Sequence, residues 1–113
     1  MEYQIKKRDD VAVLKLSGEV TIYQIQQFKE AIEALKRQKF QTKNLVIDLK
    51  DVGYFDALAL GSLCSFSREL REKGGDLKLA QVSPDVKVVF DLTHLSKVYE
   101  IYDDLEKAVK SFR

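Results

Sequence analysis

Five consecutive residues, Leu45-Val46-Ile47-Asp48-Leu49, constrain the fold of this chain most tightly. Four of them are apolar and two, Val46 and Ile47, are branched at Cβ, which suits a pleated backbone. The run shows no alternation, so it cannot be a strand with one face in water. It predicts a strand covered on both faces, hence a sheet with packing layers on either side of it, and it belongs at the centre of that sheet.

The flanking segments supply the rest of such a fold. Tyr3 to Lys7 alternates apolar and polar residues as an edge strand does, and Arg8-Asp9-Asp10 reads as a turn. Val11, Val13, Leu14 and Leu16 then read as a second strand closing a hairpin. After Ser17-Gly18-Glu19, the residues Ile22, Ile25, Phe28, Ile32 and Leu35 recur every three or four positions, predicting an amphipathic helix to about Lys39. A second helix follows Asp56, with Leu60, Leu63, Phe66 or Ser67, and Leu70 at helical spacing until Gly74-Gly75 stops it. Asp76 to Gln81 reads as a strand. Ser83 before Pro84 is a helix start, with Val86, Val89, Phe90 and Leu92 on its inward side. A short strand is expected near Val98 to Ile101, and a last helix opening at Asp103, capped by that carboxylate with Glu106 reaching back three residues on. A hairpin followed by strand–helix alternation specifies an α/β sandwich with a mixed sheet of four to five strands and about four helices. It is not a regular doubly wound dinucleotide fold.

All 113 residues fit one domain, 1–113, and a chain of this length can bury a core unaided. Nineteen Lys and Arg against eighteen Asp and Glu leave a net charge of +1, so no field of either sign draws nucleic acid or anionic lipid. The single cysteine, Cys64, cannot close an intramolecular disulfide, and the single histidine, His94, cannot build a His-rich metal site. The first eight residues lack a signal peptide's apolar stretch, and runs such as Ala57-Leu58-Ala59-Leu60 fall far below the roughly 18 residues that span a bilayer. A cytoplasmic location without membrane insertion is the resulting expectation.

Catalytic constellations are sparse. There is no GxxxxGK[ST] and no GxGxxG, and Gly74-Gly75 has a simpler use as a helix stop. Cys64, His94 and Asp56 could form a nucleophile, base and orienter only if the fold gathers them. Cys64 reads more simply as a small packing residue, and His94 as a helix-end residue bonding the last carbonyls. Asp48, Asp51 and Asp56 resemble a carboxylate cluster, but their placement across strand and connection argues against a shared metal ion. Asp56 reads best as the cap of the helix that follows, where its charge faces the positive end of the helix dipole.

The run Asn44 to Leu63, NLVIDLKDVGYFDALALGSL, resembles the central signature of STAS domains, the module of anti-sigma factor antagonists and of sulfate transporter tails. Leu16-Ser17-Gly18-Glu19-Val20 resembles that family's early SGEL turn. Arg68 to Leu79 is similar to its helix, double glycine and strand, Leu92-Thr93-His94-Leu95 to its LTGL helix end, and Tyr102 to Ala108 to its final capped helix. The resemblance implies a non-enzymatic protein-binding switch with no cofactor. In antagonists of that family the serine directly after the aspartate is phosphorylated by the anti-sigma factor, a kinase, and phosphorylation breaks their complex.

Here the aspartate is present as Asp56, but the acceptor position is Ala57, which has no oxygen to phosphorylate, and the next is Leu58. Thr21 stands where antagonists commonly carry an acidic residue. Ser62, Ser65 and Ser67 lie further along the same helix and read as packing or surface residues. The resemblance therefore implies partner contact at Asp56, Ala57 and Leu58, with Ser17, Thr21 and Tyr23 contributing from the neighbouring loop. The partner it implies is an anti-sigma factor kinase or another regulatory subunit, bound without the usual serine switch. A scaffold subunit of a sensory or transport assembly, or a small-ligand or nucleotide sensor, would use the same fold.

Overall fold

The computed structural model describes residues 1–37 and 43–112. Its five strands lie in sequence order across one sheet: β1 (Glu2–Arg8), β2 (Val11–Val20), β3 (Asn44–Phe55), β4 (Asp76–Ala80) and β5 (Ile101–Tyr102). β1 is antiparallel to β2, and every later neighbour is parallel, so the sheet is mixed. The crossovers carry α1 (Ile25–Lys36), α2 (Ala57–Glu72) and α3 (Pro84–Leu92), and α4 (Leu105–Lys110) follows β5. β3 is the central strand, and Leu45 to Leu49 are all buried, as their composition demands.

Alternation divides the core between the two faces of the sheet. Leu14, Leu16, Ile47, Leu49, Leu77 and Leu79 share one cluster with Phe28 and Ile32 of α1, Leu60, Leu63 and Phe66 of α2, and Val86 and Phe90 of α3. Val11, Val13, Val46 and Ala80 pack on the other face against Ala108 and Val109 of α4. Lys78, also buried there, places its Nζ 2.9 Å from Ser111 Oγ, 2.9 Å from Glu100 Oε2 and 4.3 Å from the centre of the Phe112 ring, which latches α4 to the sheet.

An aromatic row crosses the larger cluster. Phe55, at the end of β3, meets Phe28 edge-on with ring centroids 5.8 Å apart and Phe90 at 6.2 Å, and Phe90 meets Tyr99 at 6.4 Å. Such contacts add to the burial of large rings and fix where β3 ends. Tyr99 is buried, its hydroxyl 2.7 Å from Ser67 Oγ and its ring 5.4 Å from the Arg71 guanidinium, so it anchors the far part of α2.

Several local expectations are corrected. β2 and β3 run on to Val20 and Phe55, because register shifts between Lys15 and Ser17 and between Gly18 and Glu19 keep the strands paired through residues that read as turns. Ile22 is not on the inward stripe of α1: residues Ile22–Gln24 form a 3-10 turn, α1 starts at Ile25, and Ile22 is exposed. α1 ends at Lys36, and Lys39 lies outside the described residues. Leu92 is 76% exposed at the last turn of α3. β5 begins at Ile101, the end of the expected segment, because a 3-10 turn occupies Leu95–Lys97. The last helix is capped by Asp104, whose Oδ1 accepts from the Lys107 amide at 2.7 Å, while Glu106 pairs with Arg8.

The expected caps of the other helices are present. Ser83 Oγ accepts from the Val86 amide ahead of α3. At the end of α2, Gly74 has φ +85°, and the amides of Gly75 and Gly74 donate to the carbonyls of Leu70 and Arg71, a Schellman stop. Gly75 is required for a different reason. A Cβ there would lie 2.1 Å from the Lys43 carbonyl oxygen, whereas one on Gly53 would meet nothing within 4 Å.

Gly75→Ala should therefore cost about 1–3 kcal/mol, read as a lower urea midpoint, with Gly53→Ala much closer to neutral. Burial pushes the Tyr99 phenol from 10.0 up to about 12. Between those pH values the unfolded chain releases that proton while the folded chain keeps it, so this contribution to stability, intact below pH 10, should fall as pH rises towards 12. Urea titrations across that window should show a smaller loss in Tyr99→Phe than in the wild type.

Candidate functional site

Parallel strands on the same side of a crossover end at the same edge of the sheet. The last pair of β2 and β3 is Val20 with Phe55, and the Asp56 amide donates to the Val20 carbonyl at 3.0 Å. The connection into α1 and the connection into α2 therefore leave the sheet side by side.

Asp56 joins them. Its backbone is extended, with φ −84° and ψ 167°, and its Oδ1 accepts from the Ala59 amide at 2.8 Å, the N-cap bond the sequence predicts. Its Oδ2 accepts from the Ile22 amide, also at 2.8 Å, across 34 residues of chain. One carboxylate thus satisfies a free amide at the start of α2 and another in the loop before α1. Bonds from amides to an ionised acceptor are stronger than neutral ones.

The loop is stiffened from its own side. Thr21 Oγ1 accepts from the Tyr23 amide at 3.2 Å, Gln24 Oε1 accepts from the Thr21 amide at 3.1 Å, and the Thr21 hydroxyl hydrogen-bonds Gln24 Oε1. This is a capping box on the 3-10 turn. With the main chain held inward, the side chains project outward. Ile22 is 51% exposed, Tyr23 90% and Leu58 63%, and Ala57 is exposed beside Leu58. Leu58 continues into a shallow groove of about 470 Å³ between α1 and α2, lined by Ile32, Gly61, Ser62, Ser65 and Phe66 with Lys29, Glu33 and Glu69 at its sides.

The expected contact residues thus separate into two sets. Thr21, Tyr23, Asp56, Ala57 and Leu58 lie on this one end of the molecule. Ser17 does not belong to the loop: it sits within β2, paired with Glu2 and with Asp51, and at roughly 3.3 Å per residue it is about 13 Å down the strand from Thr21. Ile22 lies on the same end of the molecule, a placement its helical spacing conceals. The signal that could have revealed it was the Thr-x-x-Gln box of Thr21 and Gln24.

The other candidate chemistry is dispersed. Asp56 commits both oxygens to main-chain amides, and Cys64 is eight residues further along α2, about 12 Å by helical rise. His94 has φ 62° and ends α3 through its main-chain amide, which donates to the Asp91 carbonyl at 3.1 Å, not through its imidazole. Asp48 accepts from the Lys50 amide and from Gln81 Nε2, both at 3.1 Å, and Asp51 pairs with Lys15 at 3.2 Å. Among the described residues no three His, Cys, Asp or Glu side chains are placed to share a metal ion. Of the serines on α2, Ser67 is buried against Tyr99, Ser62 is half-buried and Ser65 is exposed. No helix among the described residues is long and apolar enough to cross a membrane.

A mixed five-stranded sheet, a capped central helix and a bridging aspartate at its start together define the class, and the profile of the STAS domain family matches residues 2–108: the chain belongs to that family. Among similar curated proteins, an anti-sigma-B factor antagonist of Listeria monocytogenes is 33% identical over 102 residues, covering 87% of this chain and 85% of that protein. Another of the same name from Bacillus subtilis is 28% identical, covering 94% of each. In fold, a crystal structure of an anti-sigma factor antagonist from Mycobacterium paratuberculosis superposes with a TM-score of 0.84 at 24% identity, covering 97% of this chain and 92% of that one.

Asp56→Ala removes both bridging bonds while leaving the strands intact. It should lower stability by about 2 kcal/mol in denaturant titration. Amide exchange at Ile22 and at Ala59 should accelerate together, since one carboxylate protects both.

Proposed function

We propose that this protein is a regulatory docking module of the anti-sigma factor antagonist type, and that its partner is an anti-sigma factor kinase. The observation that carries this reading is the Asp56 bridge, which fixes Ile22, Tyr23, Ala57 and Leu58 as one outward apolar surface at the start of α2. Soluble domains rarely leave large apolar side chains grouped in water without a use, and a rigid surface binds with less ordering cost than a mobile one. The names of the relatives, anti-sigma-B factor antagonist, support an anti-sigma factor as the partner. Thr21 and Asp56 act from behind the surface, holding its backbone, and Ala57 adds a flat contact where the kinase would otherwise find a hydroxyl. The kinase's usual exit reaction at this position is closed, so a complex formed there persists in ATP unless another group takes the phosphoryl.

Leu58→Glu and Tyr23→Glu each place a charge in the proposed contact without touching the core. Calorimetry against the purified anti-sigma factor kinases of the host should show at least one binding the wild type, with affinity reduced roughly thirtyfold or more by Leu58→Glu, as for a central interface residue. Equal affinity of wild type and both variants, or no binding by any kinase, removes this surface and this partner respectively.

A further inference from the structure

α2 carries a glycine at a position where nothing inside the molecule asks for one. Gly61 is exposed in the second turn of this 16-residue helix, where glycine is less favourable than alanine. A Cβ there would meet nothing within 4 Å, and its φ is not positive, so neither crowding nor backbone conformation requires glycine. What a larger side chain would fill is the shallow groove between α1 and α2. Resting on the docking role proposed above, we propose that this groove is a further part of the partner contact: Gly61 keeps it open for an apolar side chain on a helix of the kinase, and Lys29 on its rim selects a helix that also carries a carboxylate.

The two ends of the groove differ in charge. At the far end Lys36 Nζ stands 3.2 Å from the Glu69 carboxylate and 3.4 Å from that of Glu33, and Lys73 reaches Glu69 at 3.5 Å, so two cations and two anions satisfy one another. α1 and α2 run the same way from the same edge of the sheet. Lys29 lies seven residues before Lys36, and Ser62 seven before Glu69, each two turns or about 10 Å nearer the helix starts. Lys29 is therefore level with an uncharged residue. Among the described residues it has no ion-pair partner, because Glu33, one turn on, is turned to Lys36.

That arrangement states the chemistry of the occupant. A trough between two parallel helices receives the side-chain ridge of a third. An apolar anchor fits over Ile32 and Phe66 beside Gly61. A carboxylate three or four positions away on the same face of the incoming helix reaches Lys29, whereas a basic residue in that place is repelled, which discriminates among helices of similar shape. The groove opens at Leu58, so the contact continues the surface that Leu58 shares with Ile22 and Tyr23.

The test is calorimetry with whichever host anti-sigma factor kinase binds the wild type. Gly61→Leu fills the groove from the outside of α2 and should weaken binding at least about thirtyfold, with Gly61→Ala intermediate. The urea midpoints of both variants should equal or exceed that of the wild type, because leucine and alanine are better helix formers. Lys29→Glu should weaken binding about tenfold, and changing one acidic residue on a surface helix of the kinase to lysine should recover it. Wild-type affinity in Gly61→Leu overturns the groove assignment. Wild-type affinity in Lys29→Glu, or no recovering change in the kinase, overturns the role of Lys29. In either case the docking role stands if Leu58→Glu still weakens binding, and absence of binding by every kinase defeats both.

Discussion

A single carboxylate held by two amides from different loops is the interaction on which the helix-start end of this molecule depends. The Asp56 bridge requires β2 and β3 to run parallel and to end level, as they do at Val20 and Phe55, since a slip of one residue would move the Ile22 amide out of reach. It also requires β3 to stop where it does. The ring of Phe55, seated between Phe28 and Phe90, fixes that stop from below. The apolar core thereby sets the position of a polar contact to within a hydrogen bond's length, and the polar contact in turn holds an apolar surface out in water.

Much of this architecture is legible in the sequence because it rests on local patterns. The unbroken run Leu45 to Leu49 places the central strand, and Ser83-Pro84 and Gly74-Gly75 mark helix ends whose backbone chemistry is almost compulsory. The parts that were not legible depend on pairing between distant segments. Ser17-Gly18-Glu19 and Asp51-Val52-Gly53 have the composition of turns, and only their pairing across irregular register makes them strand. Asp103 and Asp104 are equivalent on paper, and the structure selects the second, leaving Glu106 for an ion pair with Arg8 instead of a capping box.

The site divides the same way. Asp56 as a cap is a local inference, since the residue precedes an apolar-periodic segment and accepts from the amide three positions on. Its second bond, to Ile22, spans the whole of α1 and the central strand and leaves no trace in spacing. The interval from Ile22 to Ile25 and Phe28 suits one face of a helix, yet a Thr-x-x-Gln box delays that helix by one tight turn and turns Ile22 outward. Polar capping overrides hydrophobic periodicity at this position.

The margins of the sheet have a separate consequence. β5 is only two residues long, and β1, the other outer strand, carries Lys6, Lys7 and Arg8 along its exposed length. One margin is too short to template another strand, and the other is blunted by the exposed charges of Lys6 and Lys7, with Arg8 paired to Glu106. Growth by strand addition is thus discouraged at both sides of the sheet.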